Sequence, residues 1–284
     1  MAHEISYVDQ VGTWSLAHYN MLEKIHDLAT ANGWTEERYD TSGDNHELIL
    51  MGEGLTGTEE IYVGFRTYQD ADADYYNLAV MAATGYVSGN SFDNQPNAIL
   101  SGIPAHNQRI DYWLSLNAQH IKMGLKVGTP VYESAYVGYL LPYARPSQFP
   151  YPIVCGGMLD GTPATRFSDS GHSMPYNGSR ANMRMRDTSG TWQQISCYPY
   201  SNDQNVLAGD PNALRDTEDY YHLMPVELFD PGTNLYGALD GIYFISGFNN
   251  TVENTLTIGG VDYVVMQDVW RTGFNDYYAI RMDV

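Results

Sequence analysis

The residues best placed for chemistry are Asp70-Ala71-Asp72-Ala73-Asp74, three carboxylates at alternate positions. Alternate carboxylates on a turn can converge on a hard cation such as Ca²⁺. A calcium loop counted from Asp70 needs glycine at position 75 and glutamate at position 81. The chain has Tyr75 and Met81 there, so the stretch reads as a solvated acidic turn between strands. Gly171-His172-Ser173-Met174-Pro175 is the nearest approach to a serine nucleophile elbow. That elbow needs glycine on both sides of the strained turn. Pro175 stands in the second glycine position, and no parallel α/β pattern surrounds it, so the segment reads as a polar loop.

The eight histidines are scattered. They form no His-Glu-x-x-His pair and no Cys/His cluster with zinc spacing. Glycine spacing offers no phosphate-binding loop. Carboxylates are plentiful, so two of them on a sheet could act as a glycosidase pair, but nothing singles out two. No catalytic, cofactor-binding or metal-binding residue is assigned, and the expectation is a protein that is not an enzyme and needs no cofactor. Tyr132, Tyr136, Tyr139, Tyr143, Phe149 and Tyr151 could stack on sugars; packing in a core or interface is the simpler use. Cys155 and Cys197 have no CxxC spacing. The opening Met1-Ala2-His3-Glu4 has no basic stretch leading into an apolar one, so no secretory signal is read there. Two reduced core thiols are therefore expected rather than a disulfide.

One helix is predicted near the start. Leu16, Tyr19, Leu22, Ile25, Leu28 and Ala29 recur at three- and four-residue steps and form one apolar stripe. Thr13 or Ser15 is expected to cap it, and Gly33 to end it by taking positive φ. His18 and His26 lie off the stripe and are expected in solvent. The pattern then turns to β. Residues 47–51, 60–68, 75–83, 112–116, 120–127 and 131–140 are apolar or alternating runs, with turn residues between them. Residues 141–152 read LPYARPSQFPYP, in which four prolines alternate with aromatics. Proline removes a backbone donor and fixes φ, so this segment is expected to be extended but not a ladder strand. The stretch from about 156 to 219 is rich in Gly, Ser, Asn and Asp and holds weak strands at 182–186 and 191–196. Strands return at 243–246, 255–258, 261–266 and 277–282, with Gly259-Gly260 as a two-residue hairpin link.

The expected fold is mainly β, an antiparallel sandwich or barrel-like set of sheets with one N-terminal amphipathic helix and long loops. Residues 1–152 form the helix and first β region. Residues 153–284 form a loop-rich middle and a C-terminal hairpin region, packed with the first as one unit.

The 284 residues carry a net charge of −20, which repels nucleic-acid phosphates and anionic lipid headgroups. Nucleic-acid and membrane partners are therefore excluded. Hydrophobic residues make up 43%, enough to bury a core, while charged residues reach only 17%. Lysine stands only at Lys24, Lys122 and Lys126 against 24 tyrosines, 12 methionines and 5 tryptophans. That balance suits both β-strands and buried interface surface.

Several stretches act as a set. The opening helix leads into Asn32-Gly33-Trp34-Thr35 and Arg38-Tyr39-Asp40. Gly54-Leu55-Thr56-Gly57-Thr58-Glu59-Glu60-Ile61-Tyr62-Val63-Gly64 is followed by Arg66-Thr67-Tyr68. Then come Asp74-Tyr75-Tyr76-Asn77, Thr84-Gly85-Tyr86, Trp113-Leu114-Ser115, Lys126-Val127-Gly128-Thr129 and Tyr139-Leu140-Leu141-Pro142-Tyr143. Leu239-Asp240-Gly241-Ile242-Tyr243-Phe244 and Arg271-Thr272-Gly273 stand near the end. Together they resemble a poorly characterised family of virion structural proteins of tailed phages and prophages, usually encoded among tail genes. The resemblance covers nearly the whole chain and carries no catalytic motif. It implies a repeated subunit of the tail or baseplate, or of the collar or neck, built in the host cytoplasm and ending in the virion. Its implied partners are copies of itself, as a symmetric homo-oligomer, and other tail proteins. The alternative is a receptor- or carbohydrate-binding module at the tail tip, and after that a glycan-degrading virion enzyme. Contact residues are expected at Tyr143, Arg145, Phe149 and Tyr151, where rigid extended chain and amphipathic rings dock at low entropic cost.

Overall fold

The computed structural model describes the chain outside residues 1, 129, 144–152, 161–162, 170, 199–221, 231–233, 270–272, 274–275 and 283–284. Strand β1 (Ala2–Asp9) and helix α1 (Ala17–Thr30) come first. Next are β2 (Trp34–Asp40), β3 (Glu47–Gly52), β4 (Ile61–Asp70), β5 (Tyr75–Ala83) and β6 (Ile99–Pro104). They form a five-stranded antiparallel sheet in chain order. Then follow β7 (Arg109–Leu116), β8 (His120–Val127), β9 (Val131–Tyr139), β10 (Leu141–Pro142), β11 (Ile153–Gly156), β12 (Gly178–Arg186), β13 (Trp192–Tyr198), β14 (Met224–Phe229) and β15 (Leu235–Phe244). The hairpin β16 (Thr255–Ile258) and β17 (Val261–Gln267) precedes β18 (Tyr277–Arg281). With β1 these build a 13-stranded antiparallel sheet in the order β1-β7-β8-β9-β11-β12-β13-β14-β15-β18-β17-β16, with β10 on β15. The fold is mainly β and antiparallel, with one α-helix among the described residues. The large sheet draws strands from both sides of residue 152.

Alternation along the strands builds two cores. Ile110, Tyr112, Leu114 and Leu116 of β7 and Ile121, Met123 and Leu125 of β8 face the smaller sheet. They meet Leu48 and Leu50, Ile61, Val63 and Phe65, and Leu78, Val80 and Ala82, with Met21, Leu22, Ile25 and Ala29 of α1 in the same core. Each fully buried Val, Leu, Ile, Phe or Met among them contributes roughly 1.5–3 kcal/mol. The far half of the large sheet curls back over the other face of β7–β9. There Trp113, Tyr132 and Tyr136 join Met183, Val264, Met266, Tyr278 and Ile280 in a second core. Gly124 lets this happen: a Cβ there would lie 3.0 Å from Met266 Cε and 3.1 Å from Ile280 Cδ1. The strands β8 and β9 are therefore covered on both faces and are buried almost throughout.

Several expectations need correcting. The helix has no side-chain cap: its N-cap is Leu16. A Val11–Ser15 bridge folds the chain tightly, Ser15 Oγ bonds the Asn20 side chain, and the Ala17 N–H donates to Asn107 O at 2.8 Å. A tertiary contact thus satisfies one of the orphan N–H donors of the first turn. His18 is fully buried, because α1 packs against strands of both sheets and needs an apolar arc wider than one stripe. His26 is half-buried, 2.9 Å from Asp27 and 2.8 Å from Glu36, with its ring stacked on Tyr39. Leu141 and Pro142 do form a ladder, pairing with Ala238 and Gly237. Strands β1, β2, β6, β11 and β14 were not expected. The Gly259-Gly260 link forms as read, with φ of +61° and +83°.

Candidate functional site

The Asp70–Asp74 stretch closes the β4–β5 hairpin. Asp70 Oδ1 accepts the N–H groups of Asp72 at 2.9 Å and Ala73 at 3.0 Å. Asp74, at φ +54°, turns its carboxylate to Arg166 at 3.1 Å. Among the described residues no three His, Cys, Asp or Glu side chains converge on a metal position. Cys155 and Cys197 are both buried and unpaired, as expected.

The segment at Gly171 is not the polar loop expected. His172, Ser173 and Met174 are buried. The segment is sewn into the fold by a Leu159–His172 bridge, by Ser173 N–H donating to Met158 O at 3.0 Å, and by Asn182 Nδ2 donating to Ser173 O at 2.7 Å. The Ser173 hydroxyl is held by Arg180, while His172 Nε2 lies 2.7 Å from Glu133 Oε2. Serine and histidine thus serve different partners, which is not a nucleophile arrangement.

Glu133 lies near the start of β9, on the face shared with Ala135 and Val137, and is fully enclosed. Burial pushes its carboxyl up to about 7, with His172 opposing the shift and Asp268 adding to it. Asp268, beside it, is also raised by burial, and its Oδ1 accepts the Met174 N–H at 2.9 Å. Glu133 therefore carries a proton for much of the time near neutrality, in contact with an imidazole. The pair forms the floor of a cleft of about 490 Å³ at one end of the sandwich. Tyr75 and Tyr76 of β5, Phe167, and the β6–β7 loop residues His106, Asn107 and Gln108 line it. Phe167 is 47% exposed, with its ring 5.5 Å from that of His172. A second hollow, of about 480 Å³, shares His106, Gln108 and Gly128 and leads on to Arg109 and Lys126. The groove thus combines aromatic faces, amides and a protonatable carboxyl. Sequence reasoning missed Glu133 and Asp268. The one signal was a glutamate inside the largely apolar run at 131–140; the sequence separation of 39 between Glu133 and His172 hides their contact.

Of the expected contact residues, Tyr143 is 52% exposed and donates its hydroxyl to Glu227 Oε1 at 2.9 Å. Arg145, Phe149 and Tyr151 lie outside the described residues. Tyr132, Tyr136 and Tyr139 are core residues. Four other exposed large apolar side chains lie close together in the chain, on β1 and the turn after it. Ile5 and Tyr7 are each 52% exposed, Val11 is 68% and Trp14 is 90%.

No protein-family model matches the chain, and no curated protein is similar to it.

Proposed function

We propose that the chain is a structural subunit of a tailed-phage virion, in the tail or baseplate or in the collar or neck, acting by protein–protein assembly. The observation that carries this reading is the run of Ile5, Tyr7, Val11 and Trp14, four large apolar side chains held in solvent on one stretch of chain. Folded chains that act alone bury such groups or scatter them; a cluster marks a surface that another chain covers. The sequence resemblance supports the same reading, as does the surplus of Tyr, Trp, Met and Arg over Lys. The acidic charge keeps free subunits apart in the host cytoplasm until a complementary surface is presented. Partners are copies of the chain and neighbouring tail proteins. The test is mass spectrometry of particles purified on a density gradient and washed in high salt. The chain is expected there in fixed ratio to known tail proteins; its confinement to the soluble lysate would refute the reading.

The groove over Glu133 and His172 favours a second reading, a glycan-binding or glycan-cleaving module at the tail tip. Aromatic faces stack on sugar rings, amides bond hydroxyls, and a carboxyl protonated near neutrality is what a general acid requires. Incubation of the purified chain with host envelope separates the readings. Neither binding nor sugar release is expected of a purely structural subunit, and released fragments would favour the enzyme.

A further inference from the structure

Among the described residues the main paths of the two sheets end in four strands, and three are guarded in the ways proteins usually guard edges. On β2 the edge carries Glu36, Glu37 and Arg38. On β6 the chain returns to cover it, with Met158 and Leu159 N–H groups donating to Gly102 O at 2.8 and 2.9 Å. The β16 edge is only four residues long. The eight-residue β1 edge is different: among the described residues it pairs only with β7, and it presents Ile5 and Tyr7 to solvent.

The register shows which β1 groups face outward. Gln10 N–H donates to Gln108 O at 2.6 Å, one step beyond the Asp9–Arg109 pair. Backbone groups alternate along an antiparallel strand, so even-numbered residues of β1 bond inward to β7 and odd-numbered ones point out. Asp9 O is already taken by Asn20 Nδ2 at 2.8 Å. The outward groups that remain at the centre of the edge are those of Ile5 and Tyr7. A two-fold axis at Ser6 sets each of these opposite the other, Ile5 against the partner's Tyr7 and Tyr7 against the partner's Ile5. Each pair then exchanges two N–H···O bonds, and an aliphatic side chain meets an aromatic one on the same face. The same register brings His3 opposite the partner's Asp9. Local charge permits the approach despite the net charge of −20: Arg109 lies 4.0 Å over the Tyr7 ring and 3.7 Å from Asp9.

We propose that β1 docks a second copy of this chain, the two β1 strands pairing antiparallel about a two-fold axis at Ser6. The pairing rests on the assembly reading above and names the partner of its exposed edge. It joins the large sheets of two subunits into one continuous sheet.

Ser6 provides the test. It is exposed and would sit in a non-hydrogen-bonded pair with the partner's Ser6, with Cα atoms about 4.5 Å apart. That spacing lies within the disulfide range of roughly 4.4–6.8 Å, and the native Cys155 and Cys197 are buried. Mild oxidation of full-length Ser6→Cys is expected to give covalent dimer at least tenfold faster than Ser42→Cys, whose thiol would sit on an exposed loop. Tyr7→Pro removes one outward N–H and leaves the inward ladder intact. It is expected to weaken self-association at least tenfold in sedimentation velocity, with an unchanged circular dichroism spectrum. Equal cross-linking of the two cysteine variants, or self-association unaffected by Tyr7→Pro, would overturn the pairing. Particle composition separates this result from the parent reading. A chain present in particles whose Ser6→Cys variant does not cross-link overturns only the pairing; a cross-linking chain absent from particles overturns only the virion reading.

Discussion

His18 offers the sharpest test of the packing. It is fully buried in α1, its ring 4.4 Å from that of Tyr19 and 5.6 Å from that of Tyr76. Both ring nitrogens lack a hydrogen-bond partner among the described residues. Burial first, and then the neighbouring His46, lowers its pKa to about 3. The unfolded chain takes up this proton below about pH 6.5, while the folded chain refuses it until about pH 3. The stability tied to the neutral ring is therefore complete above pH 6.5 and shrinks as pH falls, by about 1.4 kcal/mol per unit. At pH 4.5 the loss is on the order of 3 kcal/mol. His18→Leu keeps an apolar side chain in the site and removes both the proton and the unsatisfied nitrogens. At pH 7.5 the variant should be more stable by about 1 kcal/mol, from relief of a buried polar group without a partner. By pH 4.5 that advantage should widen by about 3 kcal/mol. Urea unfolding of both proteins at pH 7.5, 5.5 and 4.5 measures this. The buried His120 and the carboxylates are common to both and cancel in the difference. Two stability curves that stay parallel across that range would refute the assignment of His18 to the closed core.

Glu133→Gln removes a carboxyl raised to about 7 by burial. The protonated form stabilises the fold fully below about pH 4.5 and ceases to as pH rises through 7, so the Gln variant should gain on the order of 3 kcal/mol relative to wild type between pH 5 and pH 8.5 in urea titrations. Cys155 is pushed up to about 12 by burial and Cys197 is raised by burial as well, so Ellman's reagent should label neither thiol in the folded chain and both in guanidinium. Gly138 holds φ at +122°, and a Cβ there would fall 2.3 Å from Gln119 O, so Gly138→Ala should lose about 3 kcal/mol or more in thermal unfolding. Trp14→Ala should change stability by less than about 0.5 kcal/mol, since its ring is 90% exposed, while removing the most red-shifted part of the fluorescence emission.

Strands with one face in a core were legible because alternation survives there. On β4, Ile61, Val63 and Phe65 are fully buried on one face, between half-buried Tyr62 and Arg66. The strands that escaped notice lack that signature. Most of β1 is partly or fully exposed and only Val8 is buried, while β2 carries the charges that guard its edge. At β11 the chain shows only four residues, all buried, too few to display any period. The helix was legible in type and not in orientation. Leu22, Ile25 and Ala29 of the expected stripe are buried, but so are Ala17, His18 and Met21, because α1 contacts β1 and β7 on one side and β2, β4 and β5 on the other.

The groove was illegible for a different reason. A strand covered on both faces normally reads as a continuous apolar run, yet β8 and β9 carry His120, Lys122 and Glu133 inside it. His120 and Lys122 share the Tyr136 face that the curled half covers, whereas Glu133 shares the Ala135 and Val137 face toward the smaller sheet. Lys122 Nζ sits 3.2 Å from His120 Nε2, and Gly241 passes so close that a Cβ would fall 2.4 Å from that Nζ. Glu133 waits for His172, brought in by the segment after β11. A buried ionisable group without its partner costs several kcal/mol. The segment after β11 is therefore not free to settle anywhere along the sheet; the placement that delivers His172 to Glu133 escapes that penalty. Apolar packing closes the sandwich, and the Glu133–His172 contact selects where that segment lies. The same selection leaves Glu133 on the floor of the cleft, where a group needed for folding is also positioned for chemistry.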